Sequence, residues 1–277
     1  MNRERELVEL LKEFSIFAGK LALPFYGKIP TLIKSVNVHG SQKEDVVTVI
    51  DHSIQEMLLS ELIRKNFTHL SFNGEEDTHL KFFFSDDYTK DVTLHCDPID
   101  GTRAFIHGNN YFGVGLGLSR FQKPTHDFFS SVMYSPLEDV LYWSYQDETS
   151  QHPHVEDPPK TVAVWRSLNE QGRAAAKELG YEILNLGCIH VASAHAIVGK
   201  IGAAAWGSMN VHDSLLPLSF ARAAGVNPTD FEGKPIRKVE LAVENGAFPR
   251  YPGIGYFASK EIRDELIPLL SNPKYIL

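Results

Sequence analysis

Carboxylates dominate the chemistry available to this chain. Gly74-Glu75-Glu76 is followed about twenty residues later by Asp97-Pro98-Ile99-Asp100-Gly101-Thr102, where two aspartates bracket a proline and stand ahead of a glycine-marked turn. An unpaired buried carboxylate is costly or takes up a proton, whereas a hard divalent cation satisfies more than one at once. A third carboxylate from Glu75 would complete an oxygen-rich pocket suited to magnesium, which takes a few carboxylates, keeps waters and accepts oxygens of a substrate phosphate. Asp-Pro and Asp-Gly steps are also ordinary turn formers, and Glu75-Glu76 alone reads equally as a solvated pair. The flanks favour the metal. Val92-Thr93-Leu94-His95-Cys96 reads as a strand delivering Asp97 at its end, where open sheets bind small molecules.

Elements able to hold such a pocket are legible on both sides. Leu7, Leu10, Leu11, Phe14, Phe17 and Leu21 recur at helical spacing and predict an amphipathic first helix, ended by Pro24. Asp51, or Thr48 before it, opens a second helix to about residue 65. Phe72 to Glu76 reads as a short strand leaving into the acidic turn, and Asp86-Asp87 as a solvated loop. From Tyr111, apolar residues alternate with Gly113, Gly115, Gly117 and Ser119, so one face carries only small side chains and something must pack closely on it. Strands at 128–134 and 140–144 make this middle section sheet-rich.

Residues 151–160, with His152, His154 and three prolines, read as a surface loop. The loop would connect an N-terminal α+β portion, 1–150, carrying most metal ligands, to a C-terminal α/β portion, 161–277, that completes the site. There the pattern returns to a strand at 161–165, a helix near 170–179, a strand around 182–186 and an alanine-rich helix at 190–201. Near the start of that last helix Ser193 and His195 either face a ligand or pack as a small residue and a hydrogen-bonded histidine. Asp213 lies in the first turn of a further apolar helix reaching Gly225, whose amides and dipole would favour a nearby phosphate.

At 277 residues, 43% hydrophobic and 22% charged, the chain is a globular protein able to bury a large core. A net charge of -8 argues against a nucleic-acid polymer as partner, though a local positive site could receive a phosphorylated metabolite. Cys96 and Cys188 read as buried free thiols. With no CxxC pair, no basic-then-apolar opening and no apolar run of about 18 residues, a soluble cytoplasmic protein without a membrane partner is expected.

Four ordered blocks make the chain resemble the inositol monophosphatase family of magnesium-dependent, lithium-sensitive sugar and nucleotide phosphatases. They are Asp45-Val46-Val47-Thr48-Val49-Ile50-Asp51, Gly74-Glu75-Glu76, Asp97-Pro98-Ile99-Asp100-Gly101-Thr102, and His212-Asp213 leading to Ala223-Ala224-Gly225. The resemblance implies a layered α/β/α/β/α fold and usually a homodimer. Carried over by position, it makes Glu75, Asp97, Asp100 and Asp213 metal ligands, joined by the Ile99 carbonyl. Gly101 and Thr102 would contact phosphate through backbone amides. Asp51, Glu75 and Thr102 form the catalytic set, with Thr102 helping Asp51 position or activate the attacking water. Phosphate-monoester hydrolysis needs that water, charge compensation and a stabilised leaving group, which two magnesium ions about 3.5–4 Å apart can supply.

Two departures bear on specificity. His212 stands where the family usually has tryptophan, and a carboxylate often found shortly upstream is missing from Gly202-Ala203-Ala204-Ala205-Trp206-Gly207. His212, the helix carrying Ser193 and His195, and the Trp206 to Met209 segment are therefore expected to shape the leaving-group side with fewer charged contacts. An inositol or sugar monophosphate is the default substrate. Histidinol phosphate, suggested by Arg103-Ala104-Phe105-Ile106, and 3′-phosphoadenosine phosphate are alternatives, and a regulatory domain that binds a metabolite without turnover is a reading of a different class.

Overall fold

The computed structural model describes residues 3–30, 32–38, 41–241, 248 and 250–277, with 32–38 and 41–46 described by backbone alone, so the Asp45 and Val46 side chains of the first block lie outside it. Helix α1 (Arg3–Ala22) buries Leu7, Val8, Leu11, Phe14, Ala18 and Ala22. Phe17, expected on that stripe, is 50% exposed. It lies about 120° around the helix from Leu11 at 3.6 residues per turn. A hairpin of β1 (Leu32–Val38) and β2 (Ser41–Val47), not anticipated from the sequence, leads to α2 (Val49–Arg64). Thr48 is the N-cap of α2: its hydroxyl accepts from the Ile50 and Asp51 amides, and the Asp51 carboxylate accepts the Thr48 amide at 2.9 Å. This reciprocal capping settles the start of the helix.

The large sheet runs β3 (Ser71–Gly74), β4 (Val92–Asp100), β5 (Gly113–Gln122), β6 (Thr125–Ser135), β7 (Val140–Tyr145) and β8 (Glu148–Thr149) in spatial order, with β3 parallel to β4 and the other neighbours antiparallel. Helix α3 (Thr102–His107) follows β4. Residues 151–160 carry neither helix nor strand. After them come β9 (Thr161–Trp165), α4 (Glu170–Glu178), β10 (Glu182–Leu184), α5 (Ile189–Ile197), β11 (Ala203–Met209), α6 (Val211–Ser214), α7 (Leu218–Ala223), β12 (Val239–Glu240), β13 (Tyr251–Phe257) and α8 (Lys260–Leu270). The second sheet has the order β10-β9-β11-β13, and β12 pairs with β6 of the first. The single helix expected from Asp213 to Gly225 is broken into α6 and α7 around Pro217, which cannot donate a backbone hydrogen bond.

Three apolar clusters define the layers. Helices α1 and α2 cover one face of the large sheet through Leu11, Leu58, Leu94 and Leu116. Helices α5 to α7 lie between its other face and the small sheet, joining Phe128 and Tyr142 to Ala192, Leu215, Ala204 and Ile254. Helices α4 and α8 close the far side with Ala176 and Leu266 against Val162 and Phe257. The result is the layered α/β/α/β/α fold, with a middle core to which both halves of the chain contribute. Among the described residues no helix is long and apolar enough to cross a membrane.

Candidate active site

Strict strand alternation would send Asp97 and Asp100 to opposite faces, because they are an odd number of positions apart. The strand does not end at Asp97, as the sequence suggested, but continues to Asp100 through an irregularity. Asp97 lies opposite Gly115 while Asp100 lies opposite Gly113, so β4 carries one extra residue in this span. Such a bulge re-aims side chains. Here it turns both carboxylates to one side, where ligand atoms of Asp97, Asp100 and His190 lie within 4.8 Å of one another. The parallel neighbour β3 ends with Gly74 opposite Cys96 and brings Glu75 alongside, its amide donating to the Cys96 carbonyl at 3.0 Å. The short helix α6 supplies Asp213. All four acids line one cavity of about 560 Å³.

Electrostatics in this cavity are lopsided. Asp97, Asp100 and Asp213 are 2%, 4% and 9% exposed. Burial, then the charges of Glu75, Asp100 and Asp213, push the Asp97 pKa well above the usual carboxylate range. Burial, with Glu75 and Asp100, pushes Asp213 up to about 8, against a smaller opposing pull from His190 and Arg250. Asp97 Oδ1 is buried with no hydrogen-bond partner among the described residues. Carboxylates crowded in this way, with an acceptor left over, form the donor set that a hard divalent cation requires, so these residues fit a metal.

Asp100 is held by the first turn of α5. The Ile189 and His190 amides donate to its oxygens at 3.1 and 2.5 Å, the Cys188 thiol donates at 2.8 Å, and His190 Nδ1 lies 3.3 Å away. Amides at a helix N-terminus have no intrahelical partner and favour an anion. The small-residue face of β5 makes the approach possible: a Cβ at Gly115 would come within 2.2 Å of the His190 ring, and one at Gly113 within 3.1 Å of Cys188 Sγ. The close packing read from that glycine alternation is therefore the seat of α5 at Gly113 and Gly115, while Gly117 packs on Leu216 between α6 and α7. Cys188 and His190 themselves were not legible as site residues, since the pairing of β5 with α5 is long-range. His190 Nε2 also lies 2.9 Å from the His212 carbonyl.

Behind the acids stand Thr102 and Asp51. Gly101, the N-cap of α3, has φ +87°, and a Cβ there would lie 2.5 Å from the Gly187 carbonyl oxygen, so both conformation and space require glycine. The Thr102 hydroxyl donates to the Ile99 carbonyl at 3.0 Å and lies 3.4 Å from Asp51 Oδ1. Asp51 is fully buried, its other oxygen held by Thr48. Burial pushes its pKa up to about 7; the Thr48 hydroxyl pulls it down, and the charge of Glu75 adds to the rise.

Ser193 and His195 are not brought into the cavity. The Trp206 indole donates to Ser193 Oγ at 2.8 Å, and His195 Nε2 meets Glu138 Oε2 at 3.0 Å. On α5, His195 lies about 140° around the axis from His190, so one helix cannot aim both at the site. His212 is buried and adjacent to the acids, with Nε2 3.5 Å from Asp213 Oδ1, but it is not among the residues lining the cavity. Trp206 and Met209 do line it, together with Trp165 and the arginines Arg103, Arg166 and Arg250. The cavity lining beyond the acids is thus both aromatic and charged.

Residues 11–235 match the Inositol monophosphatase family. The chain belongs to that family. Similar proteins include the fructose-1,6-bisphosphatase/inositol-1-monophosphatase of Aquifex aeolicus, 26% identical over 143 residues, and inositol monophosphatase 1 of Bos taurus, 31% identical over 133 residues. These stretches cover 52% and 45% of the chain but only 48% and 45% of the two relatives, less than half of each. The fold is that of the Thermotoga maritima IMPase, with a TM-score of 0.73 over 96% of this chain and 97% of that one at 17% identity. For an inositol monophosphatase family member, the bulge that gathers Asp97 and Asp100 is the structural core of the acidic motif.

Proposed function

We propose that the chain hydrolyses a phosphate monoester of a small metabolite, using water activated at a divalent metal centre. The observation that carries this reading is the convergence of Glu75, Asp97, Asp100 and Asp213 on one cavity, where burial and their mutual charges raise the pKa values of Asp97 and Asp213. These four carboxylates and the Ile99 carbonyl would hold magnesium, which when bound compensates phosphoryl and leaving-group charge and lowers the pKa of a coordinated water. Gly101 and Thr102, at the start of α3, present backbone amides to the phosphoryl oxygens. The Thr102 hydroxyl orients the attacking water, and Asp51, with its pKa raised toward neutrality, receives the proton. Cys188 lines the cavity but is no nucleophile: burial and then the Asp100 charge push its thiol pKa far up, and it donates to Asp100. Attack therefore falls to water without a covalent enzyme intermediate.

An inositol or sugar monophosphate is the default substrate within this reading. A homodimer, lithium sensitivity and a cytoplasmic setting belong to the same proposal, the first two carried over from the family resemblance and the last from the sequence reading. Phosphate release from a broad panel of monoesters, with magnesium and with a chelator, tests the proposal. Hydrolysis that requires magnesium is expected. Magnesium binding without turnover of any ester would instead favour a metabolite-binding domain.

A further inference from the structure

Among the described residues, one set of three donors lies within 4.8 Å of one another, and it is not drawn from the four acids alone: it joins Asp97 and Asp100 to His190. Glu75 and Asp213 line the same cavity but fall outside that set. His190, in the first turn of α5, is fully buried and does not line the cavity, so its ring meets the two aspartates from the protein side. There it takes no position that water or substrate would need.

The fold determines which nitrogen faces the acids. His190 Nε2 lies 2.9 Å from the His212 carbonyl oxygen, which only accepts, so Nε2 carries the hydrogen and Nδ1 of the neutral ring is a bare acceptor. Nδ1 lies 3.3 Å from Asp100 Oδ2 and has no hydrogen-bond partner among the described residues; Asp97 Oδ1 has none either. Buried acceptors set this close repel one another unless a cation lies against them. A histidine that binds a metal through one nitrogen ordinarily donates its other N–H to a carbonyl or carboxylate, which is the arrangement here. Neighbouring ligands of one ion, with bonds of about 2.0–2.2 Å, stand roughly 3.0–3.4 Å apart, and the 3.3 Å between Nδ1 and Oδ2 falls in that range. Gly115, paired with Asp97 across the sheet, makes the approach possible, since a Cβ there would lie 2.2 Å from Nδ1.

We propose that His190 Nδ1 is a nitrogen ligand to the cation held by Asp97 and Asp100, and that this position therefore selects a divalent first-row transition ion over magnesium. The inference rests on the reading of the cavity as a metal centre and names the class of ion for one part of it. Imidazole suits zinc and its neighbours, whereas magnesium takes oxygen ligands and gives up its waters reluctantly. Glu75, Asp213 and the Ile99 carbonyl remain an all-oxygen set for magnesium.

Two measurements made without substrate test this. In the first, manganese is added at one equivalent to protein carrying 15N-labelled histidine and examined by pulsed electron paramagnetic resonance. Wild type should show the coupling of a directly bound histidine nitrogen, and His190→Gln should lose it. Absence of that coupling in wild type, at one equivalent and again at two, overturns the proposal whatever the variant does. In the second, zinc and magnesium affinities are compared by calorimetry in wild type and His190→Gln, whose amide keeps a donor for the His212 carbonyl while removing Nδ1. Zinc affinity should fall at least about tenfold, the lower end of what even outer-shell partners contribute, with magnesium affinity held within about threefold. Equal loss for both ions, or no loss for zinc, makes His190 a packing residue and overturns its role as ligand. Magnesium-dependent hydrolysis without a nitrogen coupling keeps the hydrolase reading and removes this ligand. A nitrogen coupling in a protein that hydrolyses no ester does the reverse.

Discussion

Glu138 and the Asp97 cluster are both carboxylate sites packed against the middle helices, and the protein treats them in opposite ways. At Glu138, burial works to raise the pKa, but His195 at 3.0 Å, Lys200 at 3.0 Å and the Ser135 hydroxyl at 2.9 Å hold it down to about 2. At the cluster, burial is joined by like charges, and the pKa values of Asp97 and Asp213 go up. A carboxylate completed by the chain's own cations ties elements together, here α5 and the residues after it to the turn between β6 and β7. A cluster left incomplete is made for a cation from outside. The cost of burying an unpaired carboxylate makes any other explanation of the second arrangement expensive.

The comparison breaks most visibly if the incomplete cluster is dispensable. Asp100→Asn keeps side-chain size but removes a full ligand charge, and should lower magnesium-dependent kcat/KM on the order of 10²–10³-fold, the scale of losing one strong electrostatic contact to the transition state. A folded variant with ordinary turnover would break the contrast. Asp51→Asn is the next largest. It should reduce kcat about 10²-fold, as expected for general-base loss, while KM and the stabilisation by magnesium persist. A normal rate would leave Asp51 only its role in capping α2.

Glu138→Gln is the smallest and tests the other side. Because the folded pKa of Glu138, about 2, lies below its ordinary 4.5, its contribution to stability is present above the unfolded pKa and lost as pH falls through the folded one. The variant should melt lower by roughly 2–4 °C at pH 7, with the difference closing as pH drops from 4.5 toward 2, and turnover should be unchanged. A loss of turnover equal to that of Asp100→Asn would erase the distinction between the two regions.

The acids that line the cavity were legible in the sequence because their motifs are local: Glu75, Asp97, Asp100 and Asp213 each stand in a short block. The bulge was not, since the strand was read as ending at Asp97, and the sequence left the start of α2 open between Thr48 and Asp51 until the reciprocal cap fixed it. The layer order followed from family resemblance. What stayed hidden is set by contacts between distant segments. Ser193 and His195 looked like ligand-facing residues, yet the phase of α5 sends them to Trp206 and Glu138 and turns His190 to Asp100 instead. The glycines of β5 signalled a close neighbour without saying which one.

Thermal unfolding of the metal-free protein across pH, with and without magnesium, tests the claim that this cluster is a cation site. Asp97 and Asp213 have folded pKa values raised above their ordinary 3.8, so the stability they contribute is present below that value and lost as pH rises toward the value of about 8 for Asp213. Stabilisation by magnesium should therefore grow between pH 5 and pH 8, reaching about 2.7 kcal/mol, roughly 5 °C or more, when the ion is present at about a hundred times its Kd. Asp97→Asn, with one repelling charge removed, should melt higher than wild type without metal at pH 8 and lose most of the response to magnesium. A wild type that does not respond to magnesium at pH 8, or an Asp97→Asn variant that melts lower without metal and keeps the full response, would contradict the account.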